Sequence, residues 1–129
     1  MATDQVAVEL WHRDITEQVI GAAFEVHRIL GYGFLEKVYQ RAMQVELQHR
    51  GVKAEVEWEI RVAYKGVEVG VYRADLWVGD AVMAELKVAK AYCPEDEPQL
   101  LNELKATGVK VGLLINFGRH KVEFKRLVF

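Results

Sequence analysis

A hairpin whose two strands must agree on which face is buried constrains this chain more than any other feature. Tyr72-Arg73-Ala74-Asp75-Leu76-Trp77-Val78 and Val82-Met83-Ala84-Glu85-Leu86-Lys87-Val88 read as extended segments separated by a turn at Gly79-Asp80. Side chains alternate across a strand, so Glu85 and Lys87, two residues apart, share a face. The face of Asp75 depends on the turn. A two-residue loop at Gly79-Asp80 pairs Val78 with Ala81 and sets Asp75 among Val82, Ala84, Leu86 and Val88. A three-residue loop, Gly79-Asp80-Ala81, pairs Asp75 with Glu85 instead. One face then carries Arg73, Asp75, Trp77, Met83, Glu85 and Lys87. The other carries Tyr72, Ala74, Leu76, Val78, Val82, Ala84, Leu86 and Val88, nearly all apolar. A one-residue slip exchanges the faces, and a buried unpaired carboxylate is costly. The pattern favours the odd loop, or an equivalent bulge.

Two carboxylates opposite one another across a ladder repel. Lys87 can offset one charge, and a divalent cation more. Hard oxygen donors suit Mg²⁺ or Mn²⁺, and Mg²⁺ takes one or two carboxylates while keeping water and phosphate in its other positions. Such an ion polarises a phosphodiester and acidifies bound water, which a nearby lysine orients or deprotonates. The same three side chains also fit a solvated, salt-bridged sheet face, and spacing alone does not separate the two readings.

Around the hairpin, the period of the apolar residues gives the remaining elements. Ile15, Val19, Ala22, Ala23, Val26 and Leu30 recur at helical spacing, with Asp14 or Thr16 as cap and Gly31 and Gly33 as breakers. A second helix is expected to bury Leu35, Val38, Ala42 and Val45 and to end at Gly51. Val56, Trp58, Ile60 and Val62 alternate with Glu57, Glu59 and Arg61 as a half-buried strand, followed by a Lys65-Gly66 turn. After the hairpin and a loop around Tyr92–Glu95, Pro98 marks the first residue of a helix capped by Asp96 or Glu97. Leu100, Leu101 and Leu104 form its apolar face, and Gly108 ends it. Val109–Phe117 reads as a strand covered on both faces, and His120–Phe129 as a last strand. The order ααβββαββ predicts an α/β domain with a mixed sheet over residues 14–129, preceded by an extension over 1–13.

At 129 residues the chain fits one domain. Its single cysteine, Cys93, excludes an internal disulfide and a cysteine-rich zinc site. The start lacks signal-peptide character and no apolar run approaches the ~20 residues of a membrane span, so a soluble, cytoplasmic protein without a membrane partner is expected. The formal net charge of −2 means that any nucleic acid is held by a local basic patch, a bound metal or a partner.

Asp75, then nine residues, then Glu85-Leu86-Lys87, with Gln99 on the following helix, resembles the PD-(D/E)XK nuclease superfamily. Within it, Gly33-Phe34-Leu35-Glu36-Lys37-Val38-Tyr39 is similar to the Gly-x-x-Glu-x-x-Tyr signature of the GxxExxY family. Val26–Gly31, Tyr72–Leu76, Gln99–Asn102 and Leu104–Gly108 continue the likeness in order along the chain. The resemblance implies a restriction-endonuclease-like core. Asp75 and Glu85, with the Leu86 carbonyl, would hold Mg²⁺ or Mn²⁺. Lys87 would be the catalytic lysine, Glu36 an accessory acid and Gln99 a supporting polar residue. It implies a nucleic-acid substrate, with DNA favoured over RNA, and leaves a homodimer open. Ala74 stands where the superfamily has its proline, Tyr32 where the GxxExxY family often has proline, and Glu103 where an aromatic is common.

Other residues have readings of their own. Glu36 also suits the positive end of its helix. Tyr39 is a core aromatic, a residue that orients Glu36 through its hydroxyl, or both at once, and His27 is a packed, hydrogen-bonded histidine rather than a ligand. Cys93 lacks a base to make it a nucleophile. Arg119, His120, Lys121, Lys125 and Arg126 protect an edge strand or hold phosphates. Alternation puts Trp58 on its strand's apolar side and Trp77 beside Asp75. The rival to a nuclease is a catalytically silent domain of the same fold that binds nucleic acid or a partner protein.

Overall fold

The computed structural model describes residues 11–129; residues 1–10, most of the expected extension, lie outside it. Two helices come first, α1 (Arg13–Leu30) and α2 (Glu36–His49). Strands β1 (Ala54–Tyr64), β2 (Val67–Val78) and β3 (Val82–Lys87) follow, then helix α3 (Glu97–Thr107) and strands β4 (Val111–Asn116) and β5 (Glu123–Val128). A short 3₁₀ turn, Pro94–Asp96, leads into α3. The order ααβββαββ is the expected one. The five strands lie in sequence order across one sheet, antiparallel except for β3 and β4, which run parallel and are joined through α3. No helix among the described residues is long and apolar enough to cross a membrane.

Two cores sandwich the sheet. Helices α1 and α2 bury Val19, Ala22, Val26, Tyr39, Met43 and Leu47 against alternate positions of β3 and β4. On the opposite face, α3 buries Leu100 and Leu104 against Ile60, Ala74, Met83, Leu114 and Leu127. Strand β4, flanked by β3 and β5, is buried at all six positions, as its unbroken apolar run requires.

Several local expectations are corrected. Helix α1 starts at Arg13 after a left-handed His12, and neither Asp14 nor Thr16 caps it; the Thr16 hydroxyl donates back to the Arg13 carbonyl. The buried stripe of α2 is Tyr39, Met43 and Leu47 with Gln40; of the expected residues Ala42 packs half-buried against this core, whereas Leu35, Val38 and Val45 are exposed. Leu35 precedes the first helical turn and is 79% exposed. The Tyr39 ring stacks on Phe117 with centroids 4.7 Å apart, which fixes the rotation of α2 and turns Val38 and Val45 outward. Tyr39 donates its hydroxyl to the Gly31 carbonyl at 2.7 Å, so it ties down the α1–α2 loop rather than orienting Glu36. Pro98 is the second residue of α3, not the first, and Asp96 precedes the helix without a side-chain capping bond. Tyr72 and Val88 are exposed, not part of the apolar face.

Beyond β4, Gly118 lies against the backbone of the segment that follows β3. A Cβ there would come within 2.0 Å of the Ala89 carbonyl oxygen. The contact is fixed from both sides. Phe117 N–H donates to the Lys87 carbonyl, and the Asn116 side chain donates to the Ala89 carbonyl while accepting from Gly118 N–H. The Gly118→Ala variant is expected to lose about 1–3 kcal/mol in urea unfolding, because only backbone can move to make room.

Candidate active site

The hairpin takes the odd register. Leu76 pairs with Ala84, Trp77 with Met83 and Val78 with Val82, leaving Gly79, Asp80 and Ala81 in the loop. Extending the pairing by one residue sets Asp75 across from Glu85. There the ladder stops. Instead of a backbone partner on β2, Leu86 N–H donates to Asp75 Oδ2 at 2.7 Å. The carboxylate thus fills a gap between diverging strands.

The partner strand is interrupted at the same level. Pairing of β1 with β2 runs from Ala54–Val78 to Val56–Leu76 and resumes at Trp58–Ala74, skipping Glu57 and Asp75. Glu57 has φ 55°, the only left-handed non-glycine residue inside a strand of the described chain. Holding such a backbone conformation costs about 1–3 kcal/mol. The buried Gln40 side chain compensates by donating to both Glu57 Oε1 (3.2 Å) and the Asp75 carbonyl (3.0 Å).

This break also switches layers. Ala54, Val56, Leu76 and Val78 face α1 and α2, whereas Trp58, Ile60 and Ala74, at the same parity, face α3. The expected placement of Ala74 with Leu76 and Val78 is therefore wrong, because strict alternation does not survive the kink. Trp58 and Trp77, expected on different faces, stack with centroids 4.2 Å apart and planes 8° apart.

Around the break the structure gathers the residues singled out from sequence. Glu36, from the first turn of α2, is close enough to hydrogen-bond Asp75 and to feel Glu57 and Lys87. Glu85 meets Asp75 and Glu103. Lys87, half-buried at the end of β3, is near enough to favour the charged forms of Glu36, Asp75 and Glu103. Gln99 donates to Glu103 Oε1 across one turn of α3. Glu57, Gln40 and Glu103 complete the group. Sequence reasoning overlooked Gln40 and the role of Glu57; a glutamine four residues after Glu36, on the same helix face, was the available signal for the first.

Four carboxyls here sit above their ordinary values, and burial is the leading cause in each. Glu36 is raised by burial and then by Asp75. In Asp75, burial outweighs the stabilising Leu86 N–H, Glu85 and Lys87. Glu103 is raised by burial despite bonds from Glu85 and Gln99. Glu85 is pushed up to about 10 by burial and by the charges of Asp75 and Glu103. A proton on Glu85 gives it a donor to share with these neighbours. Glu85 Oε1 and Glu103 Oε2 are buried oxygens with no hydrogen-bond partner among the described residues. No three His, Cys, Asp or Glu side chains of the described residues close into a ready-made cage. Orphaned carboxylate oxygens beside a second carboxylate are nonetheless donors that fit a hard divalent cation, which needs only one or two of them. A groove of about 730 Å³ adjoins the cluster, lined by Val62, Tyr72, Gln99, Asn102, Glu103 and Lys105. The apolar groove between α1 and α2 includes none of these carboxylates.

Glu85 makes the free protein's stability pH-dependent. Unfolding lowers its pKa from about 10 to 4.5, so between those values the native state holds a proton that the unfolded chain has lost. Its contribution is full below pH 4.5 and declines as pH rises, by up to about 1.4 kcal/mol per pH unit. In metal-free buffer, Glu85→Gln is expected to flatten this decline in a series of urea titrations from pH 5 to 9.

A family model for the PD-(D/E)XK nuclease superfamily matches residues 13–127. None of the curated proteins matches the chain. Among solved structures, the crystal structure of SSO0001 is similar in fold, with a TM-score of 0.54 and 17% identity over 71% of this chain. The match covers 48% of the SSO0001 chain, so the present chain spans about half that protein's length. A five-stranded mixed sheet with three helices, the hairpin bearing Asp75 and Glu85-x-Lys87, and a family match over nearly the whole chain lead to one conclusion: this protein belongs to the PD-(D/E)XK nuclease superfamily.

Proposed function

We propose that the chain is a Mg²⁺- or Mn²⁺-dependent nuclease of the GxxExxY type that hydrolyses phosphodiester bonds, with DNA favoured over RNA. The observation that carries this reading is electrostatic. Glu36, Glu57, Asp75, Glu85 and Glu103 crowd together beside Lys87, and two buried oxygens, Glu85 Oε1 and Glu103 Oε2, lack a partner among the described residues. A purely structural site gains nothing from burying that much like charge.

In this reading Asp75, Glu85 and the Leu86 carbonyl would hold the divalent ion, which would supply Lewis-acid polarisation of the phosphodiester and of a water. Lys87, on the same face as Glu85, orients the attacking water as an ammonium donor, and its positive charge favours the anion that develops as that water gives its proton to solvent. Asp75 is held in place by Leu86 N–H, so its other oxygen keeps one direction. Glu36 and Glu103 act behind it. They accept hydrogen bonds from bound water and keep Glu85 responsive to the ion. Gln99, fixed by Glu103, lines the adjoining groove where the nucleic acid lies.

Two measurements test this. Saturating Mg²⁺ or Mn²⁺, at about 100 Kd, should stabilise the protein by ~2.7 kcal/mol and raise its Tm by roughly 5–15 °C, more at pH 8 than at pH 6. Glu85→Gln should abolish that rise. Lys87→Ala should keep the metal-induced shift yet cleave single- and double-stranded oligonucleotides about 10²- to 10⁴-fold more slowly. Equal cleavage by wild type and Lys87→Ala would remove lysine from the chemistry, and metal binding without any cleavage would favour the silent domain.

A further inference from the structure

Three segments meet beside the carboxylates, and two of them also carry site residues. The α1–α2 loop leads from Gly31 to Glu36. The segment after β3 continues from Lys87 to Lys90. The β4–β5 turn runs from Phe117 to Lys121. The backbone bond from Phe117 to Lys87 and the contact of Gly118 on Ala89 hold the second and third together. His27 Nε2 lies 2.6 Å from the Arg119 carbonyl, which ties the turn to α1. His120 stands edge-on to Tyr32, centroids 4.7 Å apart, which ties it to the α1–α2 loop.

This junction displays cations that the fold does not use. Lys90, Arg119 and Lys121 are exposed and form no ion pair among the described residues. Elsewhere among the described residues Arg13, Arg28, Arg50, Lys53, Arg61 and Lys125 are each paired with a carboxylate, whereas Lys37, Lys65, Arg73, Lys105 and Lys110 are not; Lys90, Arg119 and Lys121 differ from these in lying on segments that the Gly118–Ala89 contact holds together. A chain of net charge −2 thus leaves three cations unpaired on one ridge. Next to them Tyr32 is 53% exposed and Phe34 46% exposed, on a loop that the Tyr39 hydroxyl and His120 hold in place. Unpaired cations interleaved with exposed, fixed aromatic rings are the chemistry of a single-stranded nucleic-acid track, where cations follow phosphates and rings stack on bases.

We propose that Lys90, Arg119 and Lys121 with Tyr32 form a binding track for single-stranded nucleic acid that leads into the carboxylate site. The proposal rests on the nuclease reading for its substrate class, but its binding does not depend on metal. Single strands bind in preference to duplex because Tyr32 has a base face to stack on only where bases are unpaired. Phosphates meet the track before they reach the acidic cluster, whose repulsion the three cations offset locally.

The test is fluorescence anisotropy of a labelled single-stranded oligonucleotide and its duplex, with EDTA present so that nothing is cleaved. The wild type is expected to prefer the single strand. Arg119→Ala/Lys121→Ala should weaken binding roughly tenfold or more and flatten the dependence of log K on log salt by about 1.4, since each lost phosphate contact removes ~0.7. Lys90→Glu is the second variant and should weaken binding as well. Tyr32→Ala should lose roughly tenfold for the single strand while leaving duplex binding unchanged. Lys65→Ala, in the β1–β2 turn, should bind like the wild type. Lys65, Lys90, Arg119 and Lys121 are exposed and their side chains form no ion pair among the described residues, so matching melting temperatures are expected for their variants, while Tyr32→Ala, which also loses the edge contact with His120, is judged by its single-strand-to-duplex ratio. An unchanged salt slope in the double variant overturns the track, and equal losses for single strand and duplex in Tyr32→Ala overturn the single-strand assignment. Intact binding without metal-dependent cleavage would overturn the nuclease reading and leave the track standing.

Discussion

The hydrogen bond from Leu86 N–H to the Asp75 carboxylate, 2.7 Å long, stands where a backbone ladder would otherwise continue. Strand β2 separates from β3 at that level and separates from β1 at the same level, so Asp75 occupies a break on both sides. A break in the middle of a sheet leaves backbone groups without partners, and each must find one. Leu86 finds the Asp75 side chain, and the Asp75 carbonyl finds Gln40. The site exists because the sheet cannot close there. The left-handed Glu57 turns the outer half of the hairpin toward α3, and the carboxylates are left at the fold between the two halves.

Crowding acidic groups at such a break has a consistent electrostatic signature. Burial weakens solvation of each charge, neighbouring carboxylates add repulsion, and the proton settles on Glu85, the group most enclosed by both. Lys87 and the Leu86 N–H lower the cost for Asp75 without cancelling it. Glu103 strengthens this pattern: it is buried, in contact with Glu85, and held by Gln99. It belongs to the carboxylate group rather than to its surroundings.

Much of this was legible in the sequence. The odd hairpin loop followed from the cost of burying Asp75 among apolar residues, and the structure has that register. The doubly covered strand β4 followed from its unbroken apolar run. The misplaced faces share a cause: each rested on a strictly periodic element that tertiary contacts rotate or kink. Helix α2 turns to place Tyr39 on Phe117, a contact between residues far apart in sequence, and Val38 and Val45 are carried outward. Ala74 and Trp58 change layers because Glu57 adopts a conformation that no alternation rule anticipates, and that conformation is supported from α2 by Gln40. Local pattern found the residues, and long-range packing decided how they face one another.

The parallel pairing of β3 and β4 connects the site to the surface beyond it. Parallel neighbours end on the same side of the sheet, so the segments leaving Lys87 and Asn116 emerge together. In open α/β sheets, the region beyond the carboxyl ends of parallel strands is where ligands bind. Here those segments carry Lys90, Arg119 and Lys121, whereas the carboxylates lie one step back along the strands. Placing the cations any closer would pair them with the carboxylates and neutralise both. The Gly118–Ala89 contact and the Asn116 side chain fix the segments that carry these cations beyond the strand ends, so a chain of net charge −2 still displays a local positive ridge.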